Sequence, residues 1–355
     1  MEYRKLGRTG LNVGVIGLGT EHLEQQRDTM DVVLRTAVEA GVNYVDLLYI
    51  EPDYWDLFGP VLRPYRDKLV LAVHWGGGPR YDMDYCQRTF ANILSCVGND
   101  YAEVAMLTMV DTERKWNEWV QESLEYLRRY QEQGRLGAIG MSTHRPPIAL
   151  KAVNSGLVDV LMFPLNLTSH VVEPEIAVCQ ACADQDVGLV AMKPYRGGTL
   201  FVADGEPSGI TPAQCLHYVF SLPVSTTVPG IKNVEELRAA LHYWEATDEE
   251  KDYSLALPDV HRYLEGQCTY CNHCLPCPLD IDIAEVMQLT FWAGWALQED
   301  NDEKDEILAA YAALQVKASE CIECGDCMER CPFGVDVIAR MQKAAEVFES
   351  VEQGA

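Results

Sequence analysis

Eight of the thirteen cysteines fall in two short blocks near the carboxyl end of the 355-residue chain. The first is Cys268-x-x-Cys271-x-x-Cys274-x-x-Cys277-Pro278, and the second is Cys321-x-x-Cys324-x-x-Cys327-x-x-x-Cys331-Pro332. Two-residue spacers wrap three thiolates round one cluster on a tight loop, and the fourth cysteine, followed by proline, reaches a second cluster. This end of the chain must therefore fold round two [4Fe–4S] clusters. On that logic Cys268, Cys271, Cys274 and Cys331 hold one, and Cys321, Cys324, Cys327 and Cys277 hold the other. The first block is one residue shorter than the usual run, which leaves the crossover of Cys277 and Cys331 open. A pair of zinc sites is the alternative, but zinc pairs two CxxC units across a longer gap and needs no triple spacing. The stretches Ile283–Leu297, Asp305–Ala318 and Val335–Val351 read as helices with few strand signals between them. Residues 254–355 are thus expected to form a small, mainly α-helical dicluster ferredoxin-like domain.

The preceding 253 residues alternate short apolar runs with amphipathic ones. Strands are expected at Val13–Thr20, Tyr44–Leu48, Leu69–Trp75, Glu103–Val110, Leu136–Thr143, Val160–Pro164, Val187–Pro194 and Ser225–Gly230. Each is a continuous apolar run of the kind a strand covered on both faces requires. Helices are expected at Thr29–Ala40, Asp84–Val97, Lys115–Gln131, Pro147–Asn154, Pro174–Asp184, Pro212–Ser221 and Val234–Tyr243, with Trp55–Leu62 a weaker eighth. Eight β-then-α units fit a closed (β/α)₈ TIM barrel over residues 1–253 better than an open sheet.

A formal net charge of −26 excludes nucleic acid and anionic membrane surfaces as partners, since both demand Lys/Arg patches. It suits either docking to a basic redox partner protein or solubility alone. No apolar run approaches the roughly 20 residues of a membrane helix. The opening Met1-Glu2-Tyr3-Arg4-Lys5 leads into no apolar signal core, so a cytoplasmic setting is expected. Clustered thiols in a reducing compartment read as metal ligands. Cys179-x-x-Cys182, inside a helix pattern with apolar neighbours, reads as a buried pair rather than a redox dithiol.

Tyr3-Arg4-Lys5-Leu6-Gly7-Arg8-Thr9-Gly10-Leu11 and Ile16-Gly17-Leu18-Gly19-Thr20 closely resemble the amino terminus of the aldo/keto reductase family. Gly41-Val42-Asn43-Tyr44-Val45-Asp46, Ile139-Gly140-Met141-Ser142-Thr143, Ala191-Met192-Lys193-Pro194 and Thr227-Val228-Pro229-Gly230-Ile231-Lys232-Asn233 extend the match to about residue 245. Ala318-Ser319-Glu320-Cys321-Ile322-Glu323-Cys324 is similar to a subgroup with a carboxyl-terminal dicluster extension. The resemblance implies NADP(H) across the barrel mouth and hydride transfer to a carbonyl. It places Ser142 at the nicotinamide amide with Asn166 assisting, Gly230, Lys232 and Asn233 at the phosphates, and Lys193 among the cofactor-binding residues. Lys232 would meet a 2′-phosphate, and the helix starting near Val234 offers an anion-binding terminus. The family's adenine-gripping Glu-Asn pair is absent, with Ala239-Ala240 in its place.

The family's catalytic residues are Asp, Tyr, Lys and His. Asp46 matches the Asp, but Glu51, His74 and Thr108 stand where Tyr, Lys and His belong. Glu51 and His74 would converge on one pocket as an acid/base couple, with Asp46 behind, unless Tyr49 or Tyr54 takes the acid's place. Tyr49, Trp55, Trp75, His144 and Tyr195 would rim the mouth, for a planar small-molecule substrate or merely as an apolar lip.

The chain thus reads as an iron–sulfur oxidoreductase of altered chemistry, coupling cluster electron transfer to a reaction at the barrel mouth. A flavin is one way to join one- and two-electron steps, though no residue demands it. The alternative is a non-catalytic electron-transfer or assembly subunit with a degenerate barrel.

Overall fold

The computed structural model describes residues 1–48, 52–76, 82–203, 205–296 and 303–349. The described chain divides into two compact units, the first ending at Tyr263 and the second starting at Leu264.

The first unit opens with an antiparallel hairpin, β1 (Tyr3–Lys5) and β2 (Asn12–Gly14). Eight parallel strands follow: β3 (Leu18–Gly19), β4 (Tyr44–Leu47), β5 (Val70–Trp75), β6 (Ala102–Leu107), β7 (Leu136–Ser142), β8 (Val160–Pro164), β9 (Gly188–Met192) and, after a small hairpin of β10 (Val202–Ala203) and β11 (Glu206–Pro207), β12 (Thr226–Val228). Parallel bridges Ile16↔Thr227 and Gly19↔Gly230 join the first barrel strand to the last, so the sheet closes.

Helices alternate with these strands: α1 (Arg27–Glu39), α2 (Pro52–Leu62), α3 (Met83–Val97), α4 (Glu113–Lys115) running through a π-turn into α5 (Gln121–Glu132), α6 (Pro146–Ser155), α7 (Glu173–Asp184), α8 (Pro212–Ser221) and α9 (Val234–Leu241). Local chemistry sets their ends. Asp82 caps α3 through Asp84 N, Thr211 and Gln214 form a capping box on α8, and Gly98 and Gly156 stop α3 and α6 in left-handed backbone. A short α10 (Asp248–Lys251) and a 3₁₀ segment (Leu257–Tyr263) complete the unit.

The run expected as one strand at Val13–Thr20 is divided. Its first part pairs with Tyr3–Lys5, and only Leu18–Gly19 joins the barrel. Leu6 and Val13, carried by the hairpin, are fully buried against inward residues Tyr44, Ala72, Met106 and Val160. They fill one end of the barrel and leave the carboxyl ends of the strands for a site. Gly7 permits this: its φ is +49°, and a Cβ there would lie 2.2 Å from Gly188 N.

Glu175, in the first turn of α7, accepts a 2.5 Å hydrogen bond from Ser169 Oγ. Burial pushes its carboxyl from an ordinary 4.5 up to about 7, against the opposing pull of Ser169 and Arg196. The unfolded chain therefore releases this proton at lower pH than the folded one. Stability from this group is full below about pH 4.5 and is lost as pH rises to 7, by at most about 3 kcal/mol. Glu175→Gln should remove that decline and raise the melting temperature at pH 8, checked by thermal melts between pH 5 and 8.

Cys179 and Cys182, on α7, are buried, and burial pushes each thiol up to about 12. Such thiols are inert.

The second unit is helical. Among its described residues lie α11 (Ile283–Ala296), α12 (Glu303–Ala312), α13 (Asp326–Arg330) and α14 (Val337–Phe348), and no strand. Val286, Leu289, Tyr311, Met341, Ala344 and Phe348 are buried, and the rings of Tyr311 and Phe348 stack at 4.1 Å. Lys317 Nζ closes the end of α12 by donating to the carbonyls of Tyr311, Ala312 and Leu314.

Candidate functional site

Strand alternation places Asp46, His74, Thr108 and Ser142 two residues beyond the inward Tyr44, Ala72, Met106 and Gly140, at the carboxyl end of the barrel. There His74 Nε2 lies 3.1 Å from Asp46 Oδ1, and His74 Nδ1 lies 3.0 Å from Thr108 Oγ1. All three are nearly inaccessible, at 6, 2 and 1% exposure for Asp46, His74 and Thr108. Thr108 Oγ1 is also 3.3 Å from the carbonyls of Trp75 and Met106. A turn of this hydroxyl lets it donate to Nδ1 or accept from it. Glu51 and Tyr49 lie outside the described residues.

Three residues expected near the pocket belong elsewhere. Trp55 and Trp75 are 1% and 0% exposed. Trp75 follows His74 and so faces outward, where Nε1 donates to Ser123 Oγ and the ring meets Phe90, Tyr126 and Tyr130. Tyr54, on α2, is buried against the rings of Trp55 and Phe58. Neither tryptophan rims the mouth, because each completes the layer between strands and helices.

A second chain of polar groups links the loops after β6, β7 and β9. Asp111 Oδ1 accepts from Thr143 Oγ1 (2.9 Å) and His144 N (2.7 Å), and Oδ2 accepts from His144 Nδ1 (2.9 Å). Burial raises the Asp111 carboxyl, but the charge of His144 and these hydrogen bonds outweigh it and hold the group well below the usual carboxylate range. His144 Nε2 is 3.0 Å from Lys193 Nζ. Arg145 Nη1 donates to the Asp111 carbonyl. Nothing in the local sequence singles out Asp111 except its place just past a barrel strand, where sites on this fold are built.

Ser142 Oγ accepts from Met109 N at 2.8 Å, which leaves its hydroxyl hydrogen to donate. Asn166 Oδ1 takes Thr168 N and Oγ1. At the other end, Asn233 caps α9 through Glu236 N, and Lys232 is exposed with its N–H on Glu236 Oε2. Gly230 is packed against the His22 ring, which a Cβ there would meet at 2.8 Å. Glu235 and Glu236 share the first turn of α9 and oppose an anion.

In the second unit the eight clustered cysteines assort into two cavities. One is lined by Cys277, Cys321, Cys324 and Cys327, the other by Cys268, Cys271, Cys274 and Cys331. Arg330 Nη2 donates to the carbonyls of Cys274 and Pro276, tying the second block to the first. Among the described residues no three Cys, His, Asp or Glu side chains are close enough to share one metal ion.

A family model described as the aldo/keto reductase family matches residues 11–214, more than half of the chain, and one described as a 4Fe-4S dicluster domain matches residues 267–336. The uncharacterized oxidoreductase YqkF of Bacillus subtilis is 22% identical over 280 residues, covering 75% of this chain and 87% of that protein. The L-glyceraldehyde 3-phosphate reductase of Escherichia coli K12 is 26% identical over 229 residues, 56% of this chain and 63% of that protein. Two of the solved structures that share the fold show the extent of the likeness. They are the holo form of aldo-keto reductase AKR11C1 from Bacillus halodurans (TM-score 0.60, 19% identity, 72% and 96% coverage of this chain and that one) and a putative aldo-keto reductase from Pseudomonas aeruginosa (TM-score 0.55, 22% identity, 68% and 94%). The chain is an oxidoreductase that belongs to the aldo/keto reductase family, its barrel followed by a 4Fe-4S dicluster domain.

Proposed function

We propose that this chain holds two [4Fe–4S] clusters and carries out a redox reaction on a small carbonyl compound at the barrel mouth, without the family's tyrosine acid. The observation that carries the reading is the assortment of the cysteines, four to each cavity. Cys268, Cys271, Cys274 and Cys331 would hold one cluster, and Cys277, Cys321, Cys324 and Cys327 the other. When bound, such clusters supply one-electron transfer.

In sequence Glu51, His74 and Thr108 stand where the family has Tyr, Lys and His, and of these His74 and Thr108 lie at the carboxyl end of the barrel. Asp46 and Thr108 hold the His74 ring between them as a buried hydrogen-bonded unit, which fixes its orientation at the floor of the mouth. Both ring nitrogens are engaged, so direct proton donation to a substrate would have to break one of these bonds.

Ser142, Asn166, Gly230, Lys232 and Asn233 would hold NADP(H), which supplies hydride when bound. The exposed ammonium of Lys232 fits its phosphates. Because Glu235 and Glu236 oppose an anion there, selectivity for the 2′-phosphate rests on Lys232. Fluorescence titration should show NADPH bound in preference to NADH, and Lys232→Ala should weaken NADPH alone by roughly tenfold. Failure of the wild-type protein to bind either dinucleotide would remove NADP(H) from the proposal and leave the clusters.

A further inference from the structure

Lys193 carries a feature that nucleotide binding does not explain. Its Nζ lies 3.0 Å from His144 Nε2, and His144 Nδ1 lies 2.9 Å from Asp111 Oδ2. Asp111 accepts the Nδ1 hydrogen, so whenever the ring carries a single proton its lone pair stands on Nε2, toward the lysine. An exposed nucleophile, a base within hydrogen-bond reach and a buried group orienting that base are the parts of an activated-nucleophile triad.

The exposure grades in the same order. Asp111 is 4% accessible, the His144 side chain 18%, and Lys193 is open to solvent. Lys193 also holds a φ of +55°, a left-handed backbone unfavourable for a residue with a side chain. Strain of this kind persists where the surrounding structure demands one orientation, and it concentrates at functional sites. The turn is fastened by Arg196 N on the Lys193 carbonyl.

We propose that Lys193 is a nucleophilic amine, activated by His144 and Asp111, that captures small aldehydes or ketones at the barrel mouth as an imine. His144 Nε2 takes a proton from the Lys193 ammonium. The freed Nζ pair attacks the carbonyl carbon, and the oxygen takes that proton back from Nε2. His144 then removes a second proton from nitrogen and returns it to the hydroxyl, which leaves as water. Ammonium and carbonyl become iminium and water, and no electron is gained or lost.

This deepens the oxidoreductase reading by naming the carbonyl class and the residue that holds it, yet its test needs neither clusters nor dinucleotide to act. Anaerobically purified full-length protein is incubated with propionaldehyde and cyanoborohydride, and each lysine's alkylation is followed by peptide mass spectrometry. Lys193 should be modified at least about tenfold faster than the exposed Lys5 and Lys232. His144→Asn and Asp111→Asn should each lower its rate to theirs, and Lys193→Arg should abolish the adduct. The proposal is overturned if wild-type Lys193 reacts no faster than Lys5 and Lys232, a comparison that needs no variant to fold. Rapid labelling that persists in a folded His144→Asn protein overturns it equally. Iron content and NADPH titration of the same preparation judge the oxidoreductase reading separately.

Discussion

Anaerobically purified protein should carry about eight iron atoms per chain and show broad visible absorption, and paired cysteine substitutions should divide that iron unequally. In Cys277→Ala/Cys321→Ala both changes strike the ligands of one cavity, so about four irons should remain. In Cys268→Ala/Cys321→Ala each cavity loses a ligand, and nearly all the iron should be lost. If each block held its own cluster, the first double variant would lose all its iron too. Iron analysis and electron paramagnetic resonance of the two variants, side by side, give the answer. A colourless anaerobic preparation without iron would end the cluster reading altogether. The second unit should also lose thermal stability on iron removal, because metal binding free energy adds directly to folding where ligands come from long loops.

The second large effect is expected at the floor of the barrel mouth. Asp46→Ala removes the partner of His74 Nε2 while the imidazole stays buried. Leaving a buried hydrogen-bonding group without its partner costs about 1–3 kcal/mol, which for a unit of this size lowers Tm by roughly 2–12 °C. Asp46→Asn keeps an acceptor for the Nε2 hydrogen and should cost about 1 kcal/mol. Calorimetry of the two variants separates them. Equal, small shifts in both would show that the couple contributes nothing to the fold and would weaken its place in the site.

Much of the molecule was legible before any coordinates. The apolar runs from Tyr44–Leu48 to Ser225–Gly230 mark barrel strands because a strand covered on both faces has no polar side to display. The Val13–Thr20 run failed as a single strand because a hairpin residue and a barrel residue are equally apolar, and only pairing with Tyr3–Lys5 distinguishes them. Trp75 illustrates the same limit. Adjacent residues of a strand face opposite ways, and one step along β5 separates a site histidine from a core tryptophan.

By itself the amino-acid order determined the dicluster domain, the alternation of strand and helix, and the residues at the strand ends. All depend on spacing within one loop or one element, where chain geometry is local. Only the tertiary structure decided that His74 is held by Asp46 and Thr108, residues 28 and 34 positions away. It alone joined Asp111, His144 and Lys193 across gaps of 33 and 49 residues. Hydrogen bonds act over about 3 Å, and no periodicity along the chain encodes which loops a closed barrel brings to that distance.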